Sequence, residues 1–437
     1  MGRKLKPIVR IVNVAEIGFE QACAAVRRTT LQDNPEVERV VREIIERVRT
    51  EGDAALLELG RRFDSPQLTS LAVPTEALQQ ALHGLPPALR AALEQAARHI
   101  ITFHEHQKRT SWMDARLGWV TGQLIRPLDR VGIYVPGGTA AYPSTVLMTA
   151  LPARVAGVKE LVLCSPAQKE GSISPLVLAA AALAGVDRVF AVGGAQAVAA
   201  MAYGTQTVPA VDKIVGPGNV WVNTAKKLLW GVVDIDMLAG PSEVCIVGDE
   251  GANPTFVALD ILTQLEHDPA CAGYLITPSA SLAAAVASEI ERQLEQLPRS
   301  LILRQALEHN SLLLVAETME QAIALANACA PEHLALMVRE PLALLGAVKN
   351  AGAVLLGDYT PQTLGDYMAG PSHTLPTSGT ARYASPLHVE TFLKRTSVIY
   401  ATPETLNPLI PSLALLARAE GFETHARAAE ARQEQTQ

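Results

Sequence analysis

Val131-Gly-Ile-Tyr-Val-Pro-Gly-Gly138 is a short β-branched run that ends on a glycine turn, and the segment behind it, Pro143 to Val158, is rich in Ala, Leu and Val. The alternation then repeats. Glu160 to Cys164, Arg188 to Val192 and Lys213 to Val215 read as strands, while Pro175 to Gly185 and Ala195 to Tyr203 read as helices. Short apolar runs bounded by Gly and Pro, with helical segments between them, predict βαβ units and a parallel sheet covered on both faces. The rhythm resumes at Glu243 to Val247, Gly273 to Thr277, Ser311 to Val315, His333 to Val338 and Gly352 to Leu356. Two α/β units are therefore expected, with a seam near Ala239-Gly240-Pro241.

Working outward, the N-terminal side is helical in pattern. Asn34 and Pro35 suit an N-cap and a first helical position. Val37, Val40, Val41, Ile44, Ile45 and Val48 then follow helical spacing. A second helix is expected from Ala88 to Phe103, and His99, His104 and His106 read as its solvated face. On the C-terminal side a polar loop follows Gly357, and a helical tail from Asn407 breaks at Gly421.

Composition narrows the function classes. The 437 residues are 49% hydrophobic and 19% charged, which excludes wholesale disorder. Lys plus Arg number 37 against 44 Asp plus Glu, a net charge of −7, so there is no basic surplus for a nucleic-acid backbone. Cys23, Cys164, Cys245, Cys271 and Cys329 are scattered singly, unlike a disulfide framework or a thiolate zinc site. Cys245 and Cys271 read as small buried apolar residues. No apolar stretch follows the charged Met1 to Pro7, Lys6 breaks a myristoylation pattern, and no apolar run is long enough to span a membrane. A soluble cytoplasmic protein is expected.

Two constellations carry chemistry. Val135-Pro-Gly-Gly138, Gly193-Gly-Ala-Gln196 and Gly216-Pro-Gly-Asn219 each join a strand to a helix, with Asn219 placed as an N-cap. Such turns let a ligand approach the backbone, and helix N-termini favour anions, so a dinucleotide crevice is plausible although none is G-x-G-x-x-G. The second set is polar. Gln264 and His267 lie three apart at the end of an apolar helical run and share a face. His333 follows Glu332, Asp366 and His373 lie in the polar loop, and Glu420 and His425 flank the Gly421 break. Amide oxygen, imidazole and carboxylate together suit zinc, cobalt or manganese. Taken singly, Glu266-His267 equally suits a helix C-terminal turn, and Asp366 a turn cap.

In chain order, Gly132-Ile-Tyr-Val-Pro-Gly-Gly138, Gly193 to Gln196, Gly216 to Asn219, Asp236-Met-Leu-Ala-Gly-Pro-Ser-Glu243, Gln264-Leu-Glu-His-Asp268, Pro331-Glu-His-Leu334, Gly365 to Leu375 and Ala419 to His425 resemble the motif set of histidinol dehydrogenases. The likeness spans roughly Glu36 to His425. It implies an α/β fold with two incomplete Rossmann-like parallel-sheet domains and helical N- and C-terminal parts: a helical region over 1–128, an NAD-side domain over 129–240, a metal- and substrate-side domain over 241–380, and a helical region over 381–437 that contributes to the partner subunit's site. It implies a homodimer that uses NAD and one zinc ion per subunit to oxidise L-histidinol to L-histidine through the aldehyde, the last step of histidine biosynthesis. A related zinc alcohol dehydrogenase acting on another small polar alcohol is the alternative.

By the same resemblance Gln264, His267, Asp366 and His425 would hold the zinc, with His425 coming from the partner. Ser242, Gln264, His267, His333, Asp366, Glu420 and His425 would contact substrate. Tyr134, Gln196 and Asn219 would contact NAD, and Glu332 and His333 would form the acid/base pair. The chemistry agrees: imidazole exchanges protons near neutral pH, and a carboxylate can activate the water that hydrates the aldehyde. Two departures stand out. Ser372 occupies a place where the family often has Asn, and His388 one where a small residue is usual. His388 is expected at the surface.

Overall fold

Val244 and Ile246 pack into one apolar cluster, Cys245 and Val247 into another. This is the period-two alternation of a strand buried on both faces. The computed structural model describes residues 8–28, 34–137 and 141–433, so Gly138 lies outside the described residues. In chain order the strands are β1 (Arg10–Asn13), β2 (Ala72–Val73), β3 (Trp112–Asp114), β4 (Val120–Pro127), β5 (Arg130–Tyr134), β6 (Glu160–Ser165), β7 (Arg188–Ala191), β8 (Lys213–Val215), β9 (Asp234–Ile235), β10 (Glu243–Gly248), β11 (Ala272–Thr277), β12 (Leu312–Val315), β13 (His333–Met337), β14 (Ala353–Leu356) and β15 (Leu393–Tyr400).

The chain falls into two compact units, Met1–Gln107 with Leu128–Phe392, and Lys108–Pro127 with Leu393–Gln437. The first unit holds two six-stranded sheets. One runs β2-β7-β6-β5-β8-β9 and is parallel except for β2. The other runs β1-β12-β11-β10-β13-β14 and is parallel throughout. Each reverses direction once: between β5 and β8 in the first, and between β10 and β13 in the second. Open α/β sheets place ligands at such switch points.

The helix Pro35–Glu51 starts at Asn34, whose side chain accepts from Val37 N–H, with Pro35 in the first turn. It buries Val37, Val41, Ile44 and Val48. Full burial of such a side chain is worth about 1.5–3 kcal/mol. That face packs on helices Gly194–Tyr203 and Val220–Leu229, which follow two of the glycine turns. The second expected helix spans Pro87–Glu105. His104 is not on a solvated face: it is fully buried, with Nδ1 against Ile100 O, and burial pushes its pKa down. Its neighbour Ile100 belongs to the same apolar stripe, and His104 one turn on continues it into the core.

Three further features escape the simple α/β rhythm. β1 comes from the N-terminal region and completes the edge of the second sheet beside β12. The loop after Gly357 contains a short helix, Gln362–Tyr367. His388 is half-buried, with Nδ1 at 3.0 Å from Thr391 Oγ1, rather than displayed at the surface. Taken by itself, the second unit is an antiparallel sheet β15-β4-β3 followed by helices Pro403–Leu406, Ile410–Ala419 and Glu423–Glu430. All five cysteines are buried as free thiols. No helix of the described residues is long and apolar enough to cross a membrane.

Candidate active site

The two ends of the sheets are used differently. The glycine turns lie at the carboxyl ends of β5, β7 and β8. Glu243 and His333, by contrast, are the first residues of β10 and β13, so the polar cluster lies at the amino ends of the second sheet, across its switch point.

Helix Met319–Cys329 delivers the central pair. Ala330 ends it in the left-handed region (φ 48°), and Pro331 then turns the chain into β13. Glu332 and His333 emerge buried, 6% and 4% exposed. Glu332 Oε2 accepts the Glu243 N–H at 3.0 Å, and Gln264 Nε2 approaches it at 3.5 Å. His333 Nδ1 lies 3.8 Å from Glu332 Oε2, and its Nε2 lies 3.6 Å from Asp366 Oδ1. Among the described residues His333 Nδ1 has no hydrogen-bond partner.

These contacts set the protonation states. Burial pushes the Glu332 carboxyl up, only partly offset by His333 and by the Glu243 N–H. Burial disfavours the His333 imidazolium, but the neighbouring charges of Glu332 and Asp366 outweigh it and raise the pKa. Asp366 is held below the usual carboxylate range: burial opposes this, and His333, with His373 and His267 nearby, prevails. A base whose pKa is moved toward neutrality is suited to proton transfer at physiological pH.

Gln264, Glu332, His333 and Asp366 belong to one cluster. Ser242 is half-buried, and its side chain acts to lower the Glu332 pKa, against the larger effect of burial. Helix Pro254–Leu265 ends before His267, which is exposed just beyond its cap rather than on its face, yet close enough to Asp366 to lower its pKa. Glu420 and His425 belong to the second unit. There Gly421 (φ 85°) makes the bend between their helices, and Arg418 ties the bend to Glu423 and Glu430. His425 is exposed and stacks on Phe422 at 5.0 Å.

Among the described residues, no group of three or more His, Cys, Asp or Glu side chains is placed to hold a metal ion. The expected donors within the first unit are only Gln264, His267 and Asp366, one amide, one imidazole and one carboxylate. Their chemistry fits zinc, which takes a carboxylate oxygen and an imidazole nitrogen readily, but the set is short of the usual four ligands. Gln264 Oε1 accepts from Gln362 Nε2, and Gln362 Oε1 is buried with no partner among the described residues. A rotation of that amide is thus the adjustment that would free the Gln264 oxygen.

At the first sheet Tyr134 is buried, and its hydroxyl accepts the Gly194 N–H at 3.1 Å. Gln196 is buried in the first turn of helix Gly194–Tyr203. Asn219 caps helix Val220–Leu229 by accepting from Trp221 and Val222 N–H. These three side chains shape the glycine turns, and helix N-termini there favour an anionic ligand.

Four further residues, Asp260, Gln362, Glu243 and Arg28, lie around the Glu332–His333 cluster. Asp260 is buried one turn before Gln264, and burial pushes it up to about 6. A lone charge inside Pro254–Leu265, otherwise an apolar helix, was the available signal. Gln362 is buried against Gln264. Glu243 is buried, accepts Ser378 N–H at 2.7 Å and faces Arg28 at 3.6 Å; burial pushes it up to about 7. Arg28 and Glu243 are 215 positions apart in the chain, and no local pattern announces such a pair.

The family model for histidinol dehydrogenase matches residues 27–433. The chain is 49% identical to histidinol dehydrogenase of Geobacillus kaustophilus over 411 residues, covering 94% of this chain and 97% of that protein. It is 50% identical to the Aquifex aeolicus histidinol dehydrogenase over 399 residues, covering 91% and 92%. The crystal structure of histidinol dehydrogenase from Elizabethkingia anophelis superposes with a TM-score of 0.93 at 34% identity, covering 98% of both chains.

Proposed function

The chain belongs to the histidinol dehydrogenase family, and we propose that it oxidises L-histidinol to L-histidine through L-histidinaldehyde at the cluster built on Glu332 and His333. The observation that carries this reading is the convergence of Gln264, Glu332, His333 and Asp366 at the amino ends of β10 and β13. The net reaction takes one alcohol, one water and two NAD+ to one carboxylic acid, two NADH and two protons. NAD+ supplies the hydride acceptor twice, and residues 129–240, with Tyr134, Gln196 and Asn219, form its side of the protein.

His333 takes the hydroxyl proton as the first hydride leaves the carbinol carbon. Glu332, its pKa raised by burial, then takes a proton from the water that adds to the aldehyde. The hydrate has a hydrogen on carbon again, so a second hydride can depart. Zinc, held by Gln264, His267, Asp366 and the partner subunit's His425, would supply a fixed positive anchor for the substrate's imidazole and amine. Ser242 and the partner subunit's Glu420 complete the substrate contacts. Fixing two reactants in this way is worth about 7–11 kcal/mol of barrier.

A homodimer in the cytoplasm completes the reading. The dimer is supported by the apolar surface of the second unit: Leu415, Leu416 and Phe422 are 71%, 64% and 51% exposed, all beside the segment that carries Glu420 and His425. Contiguous exposed apolar side chains mark interaction surfaces. The test is stoichiometry. Purified protein given zinc, L-histidinol and excess NAD+ should form two NADH for each histidine, and NADH formation at the background rate would refute the assignment.

A further inference from the structure

Lys226 is among the largest fully buried side chains of the described residues. It projects from helix Val220–Leu229, and neither its side chain nor that of Asp236 is more than 1% exposed. The two charges grip one residue from both sides. Lys226 Nζ donates to Gly216 O at 3.0 Å and to Asp236 Oδ1 at 2.5 Å. Asp236 Oδ2 accepts the Gly216 N–H at 2.8 Å, and its Oδ1 also accepts the Met237 N–H at 2.6 Å.

Gly216 is where β8 ends and the Gly216–Asn219 turn begins. Its φ is 113°, and a Cβ there would lie 2.1 Å from Tyr134 O at the end of β5. The peptide is thus pressed against the neighbouring strand in a conformation that only glycine adopts readily. An ion pair buried this deeply costs desolvation, and well-packed apolar side chains would hold a helix on a sheet equally well. What an apolar pair could not do is satisfy both the N–H and the C=O of Gly216.

We propose that Lys226 and Asp236 are positioning residues that fix the Gly216–Asn219 turn in its cofactor-receiving shape, and so govern affinity for the dinucleotide rather than for the alcohol. This rests on the reading of that turn as the NAD side of the site. Among the described residues, the side-chain hydrogen bonds of the pair go to Gly216, to Met237 and between its own two members, and not to any residue assigned to substrate. Its influence passes through Gly216 to Asn219 and, across the strand end, to Tyr134.

The test is the double variant Lys226→Met/Asp236→Asn, which removes both charges while leaving an acceptor for the Gly216 N–H. Thermal melting checks its fold, NADH binding is measured by fluorescence titration, and KM is measured for each substrate. The expected result is a KM for NAD+ and a Kd for NADH raised roughly tenfold, the loss corresponding to one charge-assisted hydrogen bond, with the histidinol KM within about twofold of wild type. Should the double variant fail to fold, Lys226→Gln decides: its amide still donates to Gly216 O, and an NADH Kd between wild type and tenfold weaker is expected. A folded variant with wild-type NADH affinity, or one whose histidinol KM rises as much as its NAD+ KM, overturns the proposal. Wild-type protein that turns over no histidinol and binds no NADH would overturn the underlying reading as well; normal wild-type behaviour with unaffected variants overturns this inference alone.

Discussion

Glutamine in place of Glu332 keeps the shape of the side chain and an acceptor for the Glu243 N–H, but cannot take a proton from water. Glu332→Gln is expected to lower kcat by about 10²–10⁴-fold, the usual worth of a general base, with melting temperature little changed; unaltered turnover would remove Glu332 from the chemistry. A different carboxylate reports on pH. Asp64 accepts the Gly193 N–H at 3.3 Å, and burial pushes its pKa up to about 6. Because the folded state favours the protonated form, its stabilising contribution is complete below the ordinary value of 3.8 and is lost as pH rises through about 6. Asp64→Asn should therefore melt about 1–2 °C above wild type at pH 8 and together with it at pH 4, and a larger gain at pH 4 than at pH 8 would reverse the sign. Legibility at this scale followed sequence distance. Glu332-His333 stood out as adjacent titratable residues at a strand start. Glu243 and Arg28 did not, since their pairing is made by the fold alone.

Elements were the most readable level wherever a pattern was continuous. The strands from Arg130 onward announce themselves by β-branched runs, and Asn34-Pro35 marks its helix by capping chemistry. β1 is four residues long and half polar in pattern, so nothing local distinguishes it from a loop; its pairing with β12 supplies the hydrogen bonds. His104 was misread because a lone polar residue at a core position of an amphipathic helix looks like its outer face. Pro241 and the glycines near it suggested the seam, but not that the second sheet would present its amino ends. The glycine turns yield a prediction of their own. Gly216→Ala forces a Cβ against the Tyr134 carbonyl and a positive φ on alanine. It should raise the NAD+ KM at least about tenfold and lower stability by about 1–3 kcal/mol; calorimetry and steady-state kinetics matching wild type would show that the turn has slack.

At the scale of the whole molecule, three expected zinc donors lie in the first unit and the fourth in the second. Removing the metal with a chelator should abolish turnover, and added zinc should restore it. Asp366→Asn should weaken zinc retention about 10–100-fold, read as metal content after dialysis; one ion per subunit retained by the variant would exclude Asp366 as a ligand. The proposed sharing of a site between subunits rests on family resemblance alone, because a single chain bears no mark of which surface its tail serves. The arrangement is open to a direct trial by subunit mixing. Glu332→Gln and His425→Ala homodimers should each be inactive. Refolded or co-expressed together, random pairing makes half the dimers mixed, and each mixed dimer has one intact site, formed by the Glu332 of one chain and the His425 of the other. The account predicts recovery of about one quarter of wild-type histidinol oxidation, and activity no greater than that of the two separate variants would contradict it.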